Sequence, residues 1–119
     1  MVVEDTPDLA VVLIDLLEAQ GYHVVHAAEG KSAVEMAKYE KPQVVILDLM
    51  IPELDGFHVC RILHHQPETC HIKIIVLSAL YRKTDLTEAF NAGASEFLVK
   101  PFDNQRLLDT VRTALHGHC

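Results

Sequence analysis

The sequence predicts an α/β domain, a parallel sheet with helices on both faces. Five short apolar runs alternate with five amphipathic stretches along 119 residues, the βα repetition expected of such a sheet. The central run, Val44-Val45-Ile46-Leu47, is apolar without alternation, as a strand buried on both faces would be. That run closes on a carboxylate, Asp48, and the Pro52 and Gly56 beyond it mark a loop. In an open parallel sheet, ligands and chemistry collect at the carboxyl ends of the strands. A charge placed there is costly unless something compensates it.

The elements follow in chain order. Strands are expected at Met1–Val3, Tyr22–Val25, Gln43–Leu47, Ile72–Leu77 and Glu96–Val99, and helices at about Pro7–Gln20, Lys31–Tyr39, Phe57–His65, Asp85–Ala92 and Asn104–Leu115. In the first helix Thr6 can cap the start, Pro7 sits in the first turn and Gly21 can end it. Leu9, Val12, Leu13, Leu16 and Leu17 are expected to form its buried stripe. Gly93 can end the fourth helix, and Asp103 can cap the fifth, whose stripe is Leu107, Leu108, Val111 and Leu115. The first strand is short because the chain opens almost inside it, which points to a trimmed chain or a fragment. No linker, repeat or effector domain is visible, so residues 1–119 read as one domain.

Composition narrows the function. Ten basic against seventeen acidic residues give a net charge of −7, the wrong sign for gripping nucleic acid. No stretch approaches a membrane span and no signal pattern opens the chain, so a cytoplasmic protein is expected. Cys60, Cys70 and Cys119 are an odd set without CxxC spacing, read as reduced thiols, with Cys60 a small core residue. Eight histidines raise the possibility of Zn²⁺, but His64-His65, Cys70-His71 and His116-Gly-His118-Cys119 match no usual zinc spacing. No histidine is expected at the site described next.

The ends of four strands can meet at one edge of the sheet. They bring Glu4-Asp5, Asp48, Ser78 and Lys100-Pro101. Three carboxylates there repel, by roughly 4 kcal/mol for a pair about 4 Å apart at an effective dielectric of 20. A divalent cation would offset that, and Mg²⁺ suits a few carboxylates with waters and phosphate oxygens. A carboxylate beside Mg²⁺, a lysine and a hydroxyl is equipped to attack a phosphoryl group.

These motifs together resemble the receiver domain of two-component response regulators over essentially the whole chain. The matching residues are Glu4-Asp5, the segment from Val45 through Asp48 to Gly56, Val-Leu-Ser78-Ala, Gly93-Ala, and Phe97-Leu-Val-Lys100-Pro101-Phe102. The spacings between Asp5, Asp48, Ser78 and Lys100 also agree with the family. The resemblance implies a flavodoxin-like (βα)5 doubly wound fold with strand order 2-1-3-4-5. It implies that Asp48 accepts a phosphoryl group from a phosphohistidine on a sensor histidine kinase or a histidine phosphotransfer protein. Mg²⁺, which Mn²⁺ can replace, would be held by Asp5, Asp48, Glu4 and the backbone carbonyl of Met50. Lys100 and Ser78 would contact phosphoryl oxygens, with a cis bond before Pro101. Ser78 and Phe97 would act as the switch, altering a surface of the fourth helix, fifth strand and fifth helix that a partner, or a second copy in a homodimer, reads.

Three features depart from the commonest pattern. Glu4 stands where Asp is more frequent, and Phe97 lacks the hydroxyl of the Tyr alternative. Met50 and Leu80, each two residues beyond a site residue, are apolar and cannot orient an attacking water, so slow self-dephosphorylation is expected. Rival functions fit less well. A flavodoxin-type cofactor binder would want a Gly/Ser/Thr-rich loop where Glu-Asp-Thr-Pro-Asp stands, and a cobalamin binder would want an Asp-x-His-x-x-Gly loop. An aspartyl phosphatase would want a second Asp at the position of Met50. A pseudo-receiver, a phosphorylation-independent interaction module, is the main alternative. Such modules usually lose part of the acidic set or the lysine, and both are present here.

Overall fold

The structure, a computed structural model, describes residues 1–49, 56–79 and 83–116. The elements run β1 (Val2–Val3), α1 (Pro7–Glu18), β2 (His26–Ala27), α2 (Gly30–Glu40), β3 (Val44–Asp48), α3 (Gly56–His65), β4 (Lys73–Ser78), α4 (Lys83–Ala92), β5 (Glu96–Val99) and α5 (Asn104–His116). All strand pairings are parallel, and the sheet order is β2-β1-β3-β4-β5. Among the described residues this is the expected five-stranded doubly wound α/β fold.

The strands' period of two sorts side chains into two cores. Val3, Val45, Leu47, Ile74 and Val76 pack with Ala33 and Ala37 of α2, Val59 and Leu63 of α3, and Ala89 of α4. Val2, Ile46, Ile75, Leu77 and Leu98 pack with Leu13 and Leu17 of α1 and Leu107 and Val111 of α5. Every residue of β3 is buried, as its unbroken apolar run requires.

Helix ends follow the punctuation in the sequence. Beyond α1, Gly21 at φ 90° donates its N–H to Glu18 O at 2.9 Å while Tyr22 N–H reaches Leu17 O at 3.3 Å. Beyond α4, Gly93 at φ 114° repeats this, with Gly93 N–H to Phe90 O at 3.1 Å and Ala94 N–H to Ala89 O at 3.0 Å. Both are Schellman closures, which need a left-handed residue. Lys41, at φ 48°, ends α2 in the same region without being glycine. Asp103 caps α5, its carboxylate accepting from Arg106 N–H at 2.7 Å. Thr6 occupies the N-cap of α1, but its side chain makes no capping bond.

Two expectations are corrected. The second strand is His26–Ala27, not Tyr22–Val25. β1 offers only Val2 and Val3 for pairing, and they register with His26 and Ala27, so of the apolar run before them only Val25 reaches the ladder, its carbonyl accepting from Val2 N–H at 2.9 Å. Tyr22 and Val24 instead pack against the core under α1 and α5. The stripe of α1 is also rotated: Ala10, Leu13 and Leu17 are buried, Leu9, Ile14 and Leu16 are partly buried, and Val12 is 51% exposed. Ala10 and Ile14 complete the i, i+3, i+4, i+7 face that Val12 was expected to share. The stripe of α5 holds, with Ala114 added and Leu115 at its margin.

The rotated stripe gives a direct test by chemical denaturation. Leu13→Ala should cost about 2–5 kcal/mol, as for a buried leucine, whereas Val12→Ala should stay within about 0.5 kcal/mol of the parent.

Candidate functional site

Asp48 is the last residue of β3 and is 3% exposed. Its position is fixed from two sides. Leu49 N–H donates to Leu77 O at 3.1 Å, and Gly56 N–H to Leu49 O at 3.0 Å. The start of α3 lies so close that a Cβ on Gly56 would meet Leu49 Cα at 2.5 Å and Asp48 O at 3.0 Å. Gly56 therefore serves close backbone approach as well as the loop that the sequence marked.

The lysine arrives by register. Ser78 pairs with Val99 at the ends of β4 and β5, and Lys100 N–H donates to Ser78 O at 2.8 Å. From there the Lys100 ammonium donates a hydrogen bond to Asp48 Oδ2 and forms an ion pair with it. The Asp48 side chain is 4% exposed and that of Lys100 26%, so water screens this pair less than a surface bridge. Ser78 is buried beside them. The Lys100–Pro101 bond is cis.

Glu4 follows β1 directly and is 1% exposed. Both of its carboxylate oxygens are buried without a hydrogen-bond partner among the described residues. Burial, and then the neighbouring Asp48, push its carboxyl up to about 8, with Lys100 acting in the opposite direction. Asp5 is exposed. The side chains of Glu4, Asp48, Ser78 and Lys100 are thus gathered on the carboxyl edge of the sheet, with Asp5 at its rim. Among the described residues no three His, Cys, Asp or Glu side chains close into a metal cage. The donor set still fits Mg²⁺, which takes one or two carboxylates and fills its other positions with water or phosphate oxygens. Buried carboxylate oxygens lacking a donor are the groups such an ion would satisfy.

Phe97, in β5, is partly buried against the core shared with α2, α3 and α4. Met50 and Leu80 lie outside the described residues, as do His118 and Cys119. Cys60 is fully buried and its thiol is pushed up to about 11 by that burial, which leaves it a core residue. Cys70 is free and exposed.

One site residue escaped the sequence reading. His26 Nε2 lies 2.8 Å from the backbone carbonyl of Glu4, so a histidine does reach the edge of the site. Placing the second strand at Tyr22–Val25 put His26 in a loop, whereas the true register sets it opposite Val2. The available signal was its place as the first polar residue after an apolar run on a strand beside β1.

This geometry defines a class: parallel α/β domains that carry an acidic pocket, a lysine and a hydroxyl at their strand ends. The chain belongs to the response regulator receiver domain family, whose model matches residues 1–112. It is 35% identical over 117 residues to Protein PilH of Pseudomonas aeruginosa, covering 98% of this chain and 97% of that protein. It is also 35% identical over 115 residues to the DNA-binding dual master transcriptional regulator RpaA of Synechocystis, covering 97% of this chain but only 48% of that protein. Among solved structures, the receiver domain of the sensor histidine kinase PA1611 from Pseudomonas aeruginosa superposes with a TM-score of 0.89 at 28% identity, covering 98% of this chain and 95% of that one. That structure has a magnesium ion coordinated in its active-site cleft. The chain is therefore a receiver domain of two-component signalling, a switch rather than an enzyme acting on an outside substrate. Among the described residues no helix is long and apolar enough to cross a membrane.

Glu4→Gln tests the buried carboxyl. In metal-free buffer the variant should unfold roughly 5–10 °C higher near pH 8, and it should bind Mg²⁺ more weakly. The stability gain should grow between about pH 5 and about pH 8. Folded Glu4 keeps its proton up to about 8, while the unfolded carboxyl loses it near 4.5, so the parent loses stability through that window and levels off above it. A pH-independent gap measured by thermal unfolding would contradict this.

Proposed function

We propose that this receiver accepts a phosphoryl group on Asp48 from a phosphohistidine of a partner histidine kinase or histidine phosphotransfer protein. The observation that carries the reading is the buried Asp48 carboxylate, held by Lys100 and set beside a Glu4 carboxyl whose oxygens lack donors among the described residues. An Asp48 oxygen forms the new P–O bond while the donor's P–N bond breaks and the imidazole leaves with the electron pair. Lys100 moves from the carboxylate to phosphoryl oxygens and stabilises their charge. Mg²⁺, or Mn²⁺ in its place, would be held by Glu4, Asp5, Asp48 and the Met50 carbonyl, and would neutralise charge on the transferring group. The cleft-bound magnesium of the PA1611 receiver supports this assignment.

Ser78 hydrogen-bonds a phosphoryl oxygen after transfer, and Phe97 moves further inward behind it. The readout surface is α4, β5 and α5, where Leu86, Phe90 and Val99 are 39%, 44% and 40% exposed. This face meets a partner or a second copy in a homodimer. Its Arg112–Asp109 contact, 3.4 Å and half exposed, adds little energy. The domain acts in the cytoplasm and makes no direct contact with nucleic acid.

Acetyl phosphate with Mg²⁺, followed by intact mass measurement, should add one phosphoryl group to the parent chain and none to Asp48→Asn. An unmodified parent would favour a phosphorylation-independent interaction module. In the phosphorylated chain, Met50→Asn should speed loss of the acyl phosphate by roughly tenfold, about what one added hydrogen bond to the attacking water can supply. An unchanged lifetime would remove apolar Met50 as the cause of slow dephosphorylation.

A further inference from the structure

Glu4 and Asp5 sit where the β1–β2 ladder runs out. Val2 pairs with His26 and Val3 with Ala27, and Glu4 N–H donates to Ala27 O at 3.1 Å. β2 stops at Ala27, and the next carbonyl on the β1 side, that of Glu4, is met by a side chain. His26 Nε2 lies 2.8 Å from it. A carbonyl only accepts, so Nε2 carries the hydrogen and donates.

That carbonyl belongs to the peptide plane joining Glu4 to Asp5. Its orientation sets the directions in which both carboxylates leave the backbone. With the Glu4 N–H tied to Ala27 and the Glu4 carbonyl tied to His26, the corner is held at both ends by β2. Among the described residues the Glu4 carboxylate oxygens have no hydrogen-bond donor, and Asp5 is exposed.

We infer that His26 is a positioning residue for the acidic pair, holding the Glu4–Asp5 peptide plane so that both carboxylates face one divalent cation. The inference rests on the reading of that pair as a Mg²⁺ site. His26 touches neither the ion nor the phosphoryl group; it works through the backbone of Glu4. It should therefore govern how tightly the ion is held and leave untouched what Asp48 and Lys100 do once the ion is in place.

Calorimetric titration of the chain with Mg²⁺ tests this. His26→Ala should bind Mg²⁺ roughly three- to tenfold more weakly than the parent, the worth of one such hydrogen bond. His26→Gln, whose side-chain amide can donate from a similar position, should stay within about twofold of the parent. At saturating Mg²⁺ all three chains should take a phosphoryl group from acetyl phosphate at one rate. Unchanged Mg²⁺ affinity in His26→Ala, equal losses in the Ala and Gln variants, or a rate deficit that persists at saturation would each overturn the positioning role alone. A parent chain that binds no Mg²⁺ would overturn the metal-site reading with it.

Discussion

The ion pair between Asp48 and Lys100 is the constraint on which the rest of the site depends. A carboxylate at the end of a strand buried on both faces loses most of its water, and an unpaired charge there would be strongly destabilising. Lys100 can compensate it only because β5 lies beside β4, and β4 beside β3, in parallel register. The Lys100 backbone is tied to Ser78 at 2.8 Å and Leu49 to Leu77 at 3.1 Å, so the acid, the hydroxyl and the ammonium fall in successive rows at the same end of the sheet. A one-residue slip would turn every side chain of the slipped strand to the opposite face and break up that constellation.

Much of this was legible in the sequence because the signals were local or strongly periodic. The unbroken apolar run ending in Asp48, the capping Asp103 and the glycines beyond α1 and α4 each fixed an element boundary. The motif spacing then brought the site residues to one edge. What escaped depended on pairing. The apolar run Tyr22–Val25 looked like a strand, but pairing with Val2 and Val3 selected His26 and Ala27 instead. That shift hid the role of His26. Val12 and Ala10 illustrate a similar limit on α1, where a small residue on the facing side was buried and a larger one outside it was not.

Glu4 shows how a site can work against the resting fold. Its oxygens are buried without donors among the described residues, and its carboxyl is pushed up to about 8, first by burial. The group is costly to ionise in the metal-free domain, and a cation bound there would satisfy it. Ion binding at Glu4 would then be linked to stability through one side chain, since a ligand that binds only the folded state adds to its stability.

Gly56 carries a consequence for how a signal can travel. The first residue of α3 rests on the backbone of Asp48 and Leu49 with no room for a methyl group between them. On that flank β3 and α3 meet backbone to backbone, so a displacement of Asp48 would press on α3 with no slack to take it up. On the other flank the tie to Lys100 is a charged hydrogen bond, which can exchange partners without repacking a core. The acidic pocket is therefore backed by close backbone packing on one side and by an exchangeable polar contact on the other, so a change at Asp48 would be passed on unequally to its two flanks.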